Sequence, residues 1–213
     1  MKKILIVLPL FFVFIFFPGC GEDSPPTREE AKTVEVTPIT DTTSFSNNIT
    51  VYNSKPGVLG IFNVPEMLVL SVMDSASLGK VAARMGRDFD WIQEDITYLE
   101  AEVNGPAGTI NYNNKPENFK FETIVCIKRI PSKQPKRSKI VVLEAGPMLV
   151  FNFYGSQQNL FSAYDKIKRY CQENKLLASG PMREFYMTDS GTEPNPEKWL
   201  TRIMLPVMPY PED

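Results

Sequence analysis

Glu184 stands in the stretch Met182-Arg183-Glu184-Phe185-Tyr186-Met187, whose alternation places Met182, Glu184 and Tyr186 on one face of a strand. A returning segment, Trp199-Leu200-Thr201-Arg202-Ile203-Met204-Leu205-Pro206-Val207, sets Trp199, Thr201 and Ile203 on a common face. A carboxylate between apolar neighbours, sharing a hairpin with a Tyr and a Trp, can line a pocket as a counter-charge or act as a general base. It fits equally well an edge-strand charge held in water, and the stretch alone leaves both readings open. The chain has no His, so the commonest general base and the commonest zinc ligand are missing. No metal, haem or other cofactor is expected, and no Gly-x-Ser-x-Gly nucleophile elbow is present.

The elements that must position this hairpin come from a duplicated pattern. The loop from Thr188 to Lys198 carries Asp189, Gly191, Pro194, Asn195 and Pro196, which form turns and suit strands poorly. Upstream, Met67-Leu68-Val69-Leu70-Ser71-Val72-Met73-Asp74-Ser75 aligns without gaps on Met148-Leu149-Val150-Phe151-Asn152-Phe153-Tyr154-Gly155-Ser156, each copy with a Pro shortly before it. Leu68, Leu70 and Val72 match Leu149, Phe151 and Phe153 as an apolar face. Ser71 and Met73 match Asn152 and Tyr154 on the mixed face.

Each copy then enters a helical period behind a Ser. The first stripe is Leu78, Val81, Ala82 and Met85, continuing through Phe89, Ile92, Ile96 and Leu99 past Gly86, where a bend or break is possible. The second is Leu160, Tyr164, Ile167 and Cys171, and both read as packing against the apolar sheet face. Gly105-Pro106 and Gly180-Pro181 follow the helices and lead into strand pairs. This places Tyr112 opposite Tyr186 in the repeat, within a residue, and Glu122 near the place of Glu184. Lys128, Arg129, Lys133, Lys136, Arg137 and Lys139 make the connection between the copies basic, as a solvated linker or a contact to an anionic membrane surface.

The first residues read as an address. Lys2 and Lys3 precede an apolar run from Ile4 to Phe17, too short to span a membrane, and Gly19-Cys20 follows. The pattern resembles a bacterial lipoprotein signal in which Cys20 is lipidated, although Phe17-Pro18 departs from the usual residues there. The expected organisation is a signal peptide over 1–19, the lipidated Cys20 with a Thr/Ser/Pro-rich tether over 20–56, one domain over 57–208 and a short tail over 209–213. Within the domain, repeat one covers about 57–130 and repeat two about 139–208. The stretch Ile49 to Tyr52 is able to add an edge strand. Removing 1–19 takes away Lys2 and Lys3, leaving 21 basic against 25 acidic side chains and a net charge of −4. That balance argues against nucleic acid as a partner. Cys126 and Cys171 would be left either as one disulfide or as two buried thiols.

Two tandem β-α-β-β units with Gly-Pro before each hairpin resemble the GyrI-like small-molecule-binding domain, the effector-binding module of multidrug-responsive bacterial transcription activators. The resemblance covers about Val58 to Val207 and is carried chiefly by Gly180-Pro181 through Tyr186 and by Trp199 through Val207. It implies an α+β fold, a curved antiparallel sheet with two main helices on one face and a ligand groove on the other, along a pseudo-twofold axis. Combined with the face assignments above, this puts Ser71, Met73, Asn152, Tyr154, Glu184, Tyr186, Trp199 and Thr201 in the groove, with Tyr112 and Glu122 as further contacts. A Glu on the strand after the second Gly-Pro commonly meets cationic, aromatic ligands in that family, and Glu184 matches it.

The expected function is therefore an exported, lipid-anchored protein that sequesters or senses amphipathic, aromatic or cationic small molecules. It would sit in the cell envelope, facing the periplasm or the cell surface. The absence of an Asp directly after Cys20 favours the outer membrane. Two alternatives stand beside it. One is a small-molecule hydrolase using Glu184 with Tyr186 or Tyr112. The other is a structural or protein-binding lipoprotein whose groove is filled by its own large side chains.

Overall fold

The structure is a computed structural model that describes residues 55–188, 191 and 193–211. The expected signal peptide, Cys20, the strand at Ile49 to Tyr52 and all of the tether before Lys55 lie outside these residues. In chain order the elements are β1 (Gly57–Val64), β2 (Met67–Ala76), α1 (Leu78–Leu99), β3 (Val103–Asn111), β4 (Phe119–Ile127), β5 (Lys139–Leu143), β6 (Gly146–Tyr154), α2 (Phe161–Glu173), β7 (Leu176–Ala178), β8 (Met182–Tyr186) and β9 (Leu200–Pro209). A 3-10 turn, Gln157–Asn159, precedes α2, and another, Pro196–Lys198, precedes β9. The fold is α+β, as expected.

The strands form one antiparallel sheet in the order β1-β6-β9-β8-β3-β4-β2-β5, with β7 added on β9. The order β2-β4-β3 of the first unit is mirrored by β6-β9-β8 of the second, so the pseudo-twofold axis passes between β3 and β8. The leading strands are exchanged: β1 pairs with β6 of the second unit and β5 with β2 of the first. Only Pro65 and Glu66 separate β1 from β2, and only Glu144 and Ala145 separate β5 from β6. Each link bridges at most about 11 Å between flanking Cα atoms, yet it joins opposite ends of the strand order. The sheet must therefore curl until its ends meet.

One apolar cluster fills the inside of that curl. Val64, Met67, Val69, Ile110, Ile124, Cys126, Leu143, Met148, Val150, Phe185 and Met204 contribute from every strand except β7. On the outer face, α1 covers β2 and β4, and α2 lies against β6 and β7. Under α1 sit Leu70, Val72, Phe121 and Val125; under α2 sit Leu149, Phe151, Ile203 and Leu205. Each such fully buried side chain contributes about 1.5–3 kcal/mol of transfer free energy. The apolar faces of β2 and β6 thus lie under the helices, as the alternation predicts. α1 runs unbroken through Gly86 and ends at Glu100, whose left-handed backbone (φ 54°) returns its N–H to Ile96 and Thr97 carbonyls.

The basic connection is more than a solvated linker. Asp95, buried on α1, accepts the backbone N–H groups of Lys136, Arg137 and Ser138 together with the Ser138 hydroxyl, at 2.7–3.0 Å. Burial is the largest single effect and pushes its carboxyl up, but the four bonds together outweigh it and hold the carboxyl below the usual range. Trp91 is flanked by the Arg87 and Arg137 guanidinium groups, 4.2 and 5.3 Å from its ring centre. Cys126 and Cys171 are free thiols on opposite faces of the sheet, so they form no disulfide with each other. Burial pushes Cys126 up to about 12.

Candidate functional site

Because each helix covers its own unit, the central strands β3 and β8 lie between α1 and α2. The outward residues there are polar and buried. Thr109 is in register with Thr123 on one side and Glu184 on the other, and Tyr186 is in register with Thr201. Thr109 and Thr123 are inaccessible, and Glu184 is 4% exposed. This strip separates the apolar cluster under α1 from the one under α2.

Glu184 is held from both sides. Tyr164, reaching down from α2, donates its hydroxyl to Glu184 Oε1. Asn111 at the end of β3 donates Nδ2–H to the same oxygen at 2.6 Å. No cation contributes to this environment among the described residues. Burial, opposed only in part by the bonds from Tyr164 and Asn111, leaves the carboxyl pushed up to about 6. Burial, then the Glu184 charge, raises the Tyr164 and Tyr186 hydroxyls well above their usual range, so both stay protonated. Tyr186 shares a hydrogen bond with Thr109 at 3.2 Å, and its ring meets Phe89 of α1 edge-on at 6.5 Å. The result is a nearly dry carboxylate between aromatic groups of both helices.

The residues expected in one groove divide between the two faces of the sheet. Glu184, Tyr186 and Thr201 face the helices, between them rather than on the reverse side. Ser71, Met73, Asn152, Tyr154 and Glu122 alternate onto the inner face, and Tyr112 joins them there by donating its hydroxyl to Glu122 at 2.6 Å. Asn152 accepts from Arg202 Nε at 3.0 Å on that face. The physical reason is the alternation of β8 and β9, which turns Phe185 and Met204 into the inner cluster and so turns Glu184, Tyr186 and Thr201 to the helix side. Trp199 precedes β9 and ties down the loop, its indole N–H donating to the Glu193 carbonyl at 2.8 Å.

The register also corrects the repeat correspondence. Val69 and Val150 are equivalent, and their partners Cys126 and Met204 make Val125 equivalent to Ile203. Those two pair with Ala107 and Glu184, so Ala107 occupies the place of Glu184 in the first unit. By the same steps Thr109, not Tyr112, is the counterpart of Tyr186, and Glu122 matches Leu200. The shift arises from the irregular pairing between Val103 and Ala107, where the Gly105-Pro106 segment lies inside β3 and breaks the residue count.

Sequence reading did not single out Tyr164, Asn111, Thr109, Thr123 or Phe89 as site residues. Tyr164 carried a signal: a hydroxyl within a buried helical stripe needs a partner. Asn111 carried none, because the irregularity in β3 hides its face. Among the described residues no group of three or more Cys, Asp or Glu is placed to hold a metal ion.

The sequence profile of the GyrI-like small molecule binding domain matches residues 63–208. Curated protein sequences gave no match. Among solved structures, the EcmrR C-terminal domain superposes with a TM-score of 0.61 at 17% identity, over 71% of this chain and 97% of that one. EcmrR in its DNA complex gives 0.63 at 17% identity, over 71% of this chain and 57% of that one, so this chain spans little more than half of that protein. SAV2435 bound to tetraphenylphosphonium gives 0.52 at 14% identity, over 70% of this chain and 92% of that one. These likenesses are of fold. The profile covers more than half of the sequence, and the chain belongs to the GyrI-like family.

Proposed function

We propose that this member of the GyrI-like family binds small amphipathic cations with aromatic groups between its two helices, with Glu184 as their counter-charge. The observation that carries the reading is the buried Glu184 carboxylate, held by Tyr164 and Asn111 with no cation beside it among the described residues. Desolvating a lone carboxylate is costly, and an entering cation removes that cost. Tyr164 and Tyr186 supply rings beside it, with Phe89 edge-on to Tyr186, and a desolvated cation over an aromatic face gains about 2 kcal/mol. A neighbouring fold that holds tetraphenylphosphonium supports the ligand class.

The proposal also places the domain on a lipid anchor at Cys20, exported to the cell envelope, on the strength of the leader pattern alone. Cys20→Ser should release the chain from the membrane fraction while leaving its cation binding unchanged.

The binding test is a calorimetric titration of tetraphenylphosphonium into wild type and Glu184→Gln. Saturable binding that weakens about tenfold or more in the variant supports the reading. Equal binding by both proteins, or none by either, overturns it. Consumption of a bound compound, abolished in Glu184→Gln, would instead favour the hydrolase.

A further inference from the structure

The hydrogen bonds around Glu184 are lopsided. Both donors, Tyr164 Oη and Asn111 Nδ2, go to Oε1, and neither reaches Oε2. The Asn111 side chain is oriented by the bond it gives, and its own Oδ1 is buried with no partner among the described residues. A second buried oxygen without a partner, Thr123 Oγ1, lies on the same face, two strands from Glu184 along the Thr123–Thr109–Glu184 row. Buried polar atoms are nearly always satisfied, so the unpaired Asn111 oxygen beside a carboxylate points to a missing donor. Both unpaired oxygens lie on the β3 and β4 side of Glu184.

We propose that Asn111 contacts the ligand directly and forms with Glu184 a two-acceptor fork, Oδ1 and Oε2. This fork selects cations that carry N–H donors, such as protonated primary or secondary amines and amidinium groups, over permanently quaternary cations of the same size. The proposal rests on the reading of Glu184 as counter-charge. A quaternary ammonium or phosphonium satisfies the charge and leaves Asn111 Oδ1 unpaired. An N–H cation satisfies both oxygens, and a site built to pair a donor discriminates strongly against the analogue lacking it. Thr123, whose hydroxyl both gives and accepts, suits a second polar group on the same ligand.

The test uses one matched pair of probes, (biphenyl-4-yl)methylammonium and its N,N,N-trimethyl counterpart, titrated calorimetrically into the same proteins. Wild type is expected to bind the N–H cation about tenfold tighter than the trimethyl form, and Asn111→Ala to reduce the ratio to about twofold by weakening the N–H cation alone. The wild-type ratio needs no variant, so it holds even where Asn111→Ala fails to fold. Equal binding of the two probes by wild type, both weakened in Glu184→Gln, overturns the fork and leaves the counter-charge reading standing. Equal weakening of both probes by Asn111→Ala assigns Asn111 to holding Glu184 and likewise overturns the fork. Binding of both that ignores Glu184→Gln, or no binding of either, removes the counter-charge reading and the fork with it.

Discussion

The two repeats build the same strand frame and set different chemistry on it. At equivalent places the first repeat has Ala107, Gly108 and Thr109, and the second has Glu184, Phe185 and Tyr186. Gly108 and Phe185 are also register partners across the pseudo-twofold axis. There, two identical large residues would collide and two small ones would leave a void. The repeats thus share a symmetric scaffold, and their divergence at the axis leaves one buried carboxylate there. A symmetric arrangement would bury two carboxylates near each other, and like charges so placed cannot both ionise.

The strongest way to break the comparison is to change the sizes at the axis. Phe185 is fully buried in the inner cluster, and Phe185→Ala should cost about 3–5 kcal/mol through the cavity it leaves. Gly108→Ala fails in the opposite sense. A Cβ there would stand 2.3 Å from the Glu184 carbonyl oxygen and 3.1 Å from Phe185 Cδ1, so β3 and β8 must part. About 1–3 kcal/mol is expected, read as a fall in the urea midpoint. Neither change is relieved by its equivalent residue, because the frame is shared and the filling is not.

Next in size is the charge that only the second repeat carries. The folded Glu184 carboxyl titrates near 6 against an ordinary 4.5, so the native state holds its proton more tightly than the unfolded chain. Its contribution to stability is present in full below 4.5 and is lost as pH rises through 6, a difference of about 2 kcal/mol. Glu184→Gln should therefore be more stable than wild type by up to that amount at pH 7–8, and the gap should close below pH 4.5. Wild-type affinity for a cation should move the other way, falling as pH drops through 6. Stability curves and titrations at pH 4.5, 6 and 8 check both directions.

Tyr164→Phe sharpens the same point more gently. It removes the α2 hydroxyl that pulls the Glu184 carboxyl down. The midpoint of pH-dependent cation binding should shift upward, with about 1–2 kcal/mol lost in stability above that midpoint. An unshifted midpoint would mean that Tyr164 only packs.

What the sequence made legible follows from where counting works. The repeat of β2 in β6, the helical stripes and the apolar faces beneath them obey regular periods, and the structure keeps them. Glu184 and Tyr186 were found together because five regular residues of β8 hold them on one face. The surroundings of Glu184 were hidden by two things that no local pattern carries. One is the exchange of β1 and β5, which curls the sheet. The other is the irregularity near Gly105-Pro106, which moves Thr109 and Asn111, rather than Tyr112, to the face that carries Glu184.

The smallest expected effect concerns Glu122, the residue that simple counting pairs with Glu184. The two look alike: Glu122 is 6% exposed, lies on a strand near the axis and accepts a tyrosine hydroxyl, that of Tyr112. They differ in face. Glu122 is in register with Met73 and Ile110, residues of the inner side, and Met73 and Tyr112 beside it are 45% and 41% exposed. Its repeat counterpart is Leu200, so nothing in the duplication makes it a second half of the site. The sheet itself separates it from the space between the helices. Glu122→Gln should leave cation affinity within about twofold of wild type, as expected for a substitution that shares no partner with the ligand. The midpoint of pH-dependent binding should stay near 6. A large loss of affinity in Glu122→Gln with Glu184→Gln unaffected would put the ligand inside the curl of the sheet, on the face that carries Asn152, Tyr154 and Tyr112.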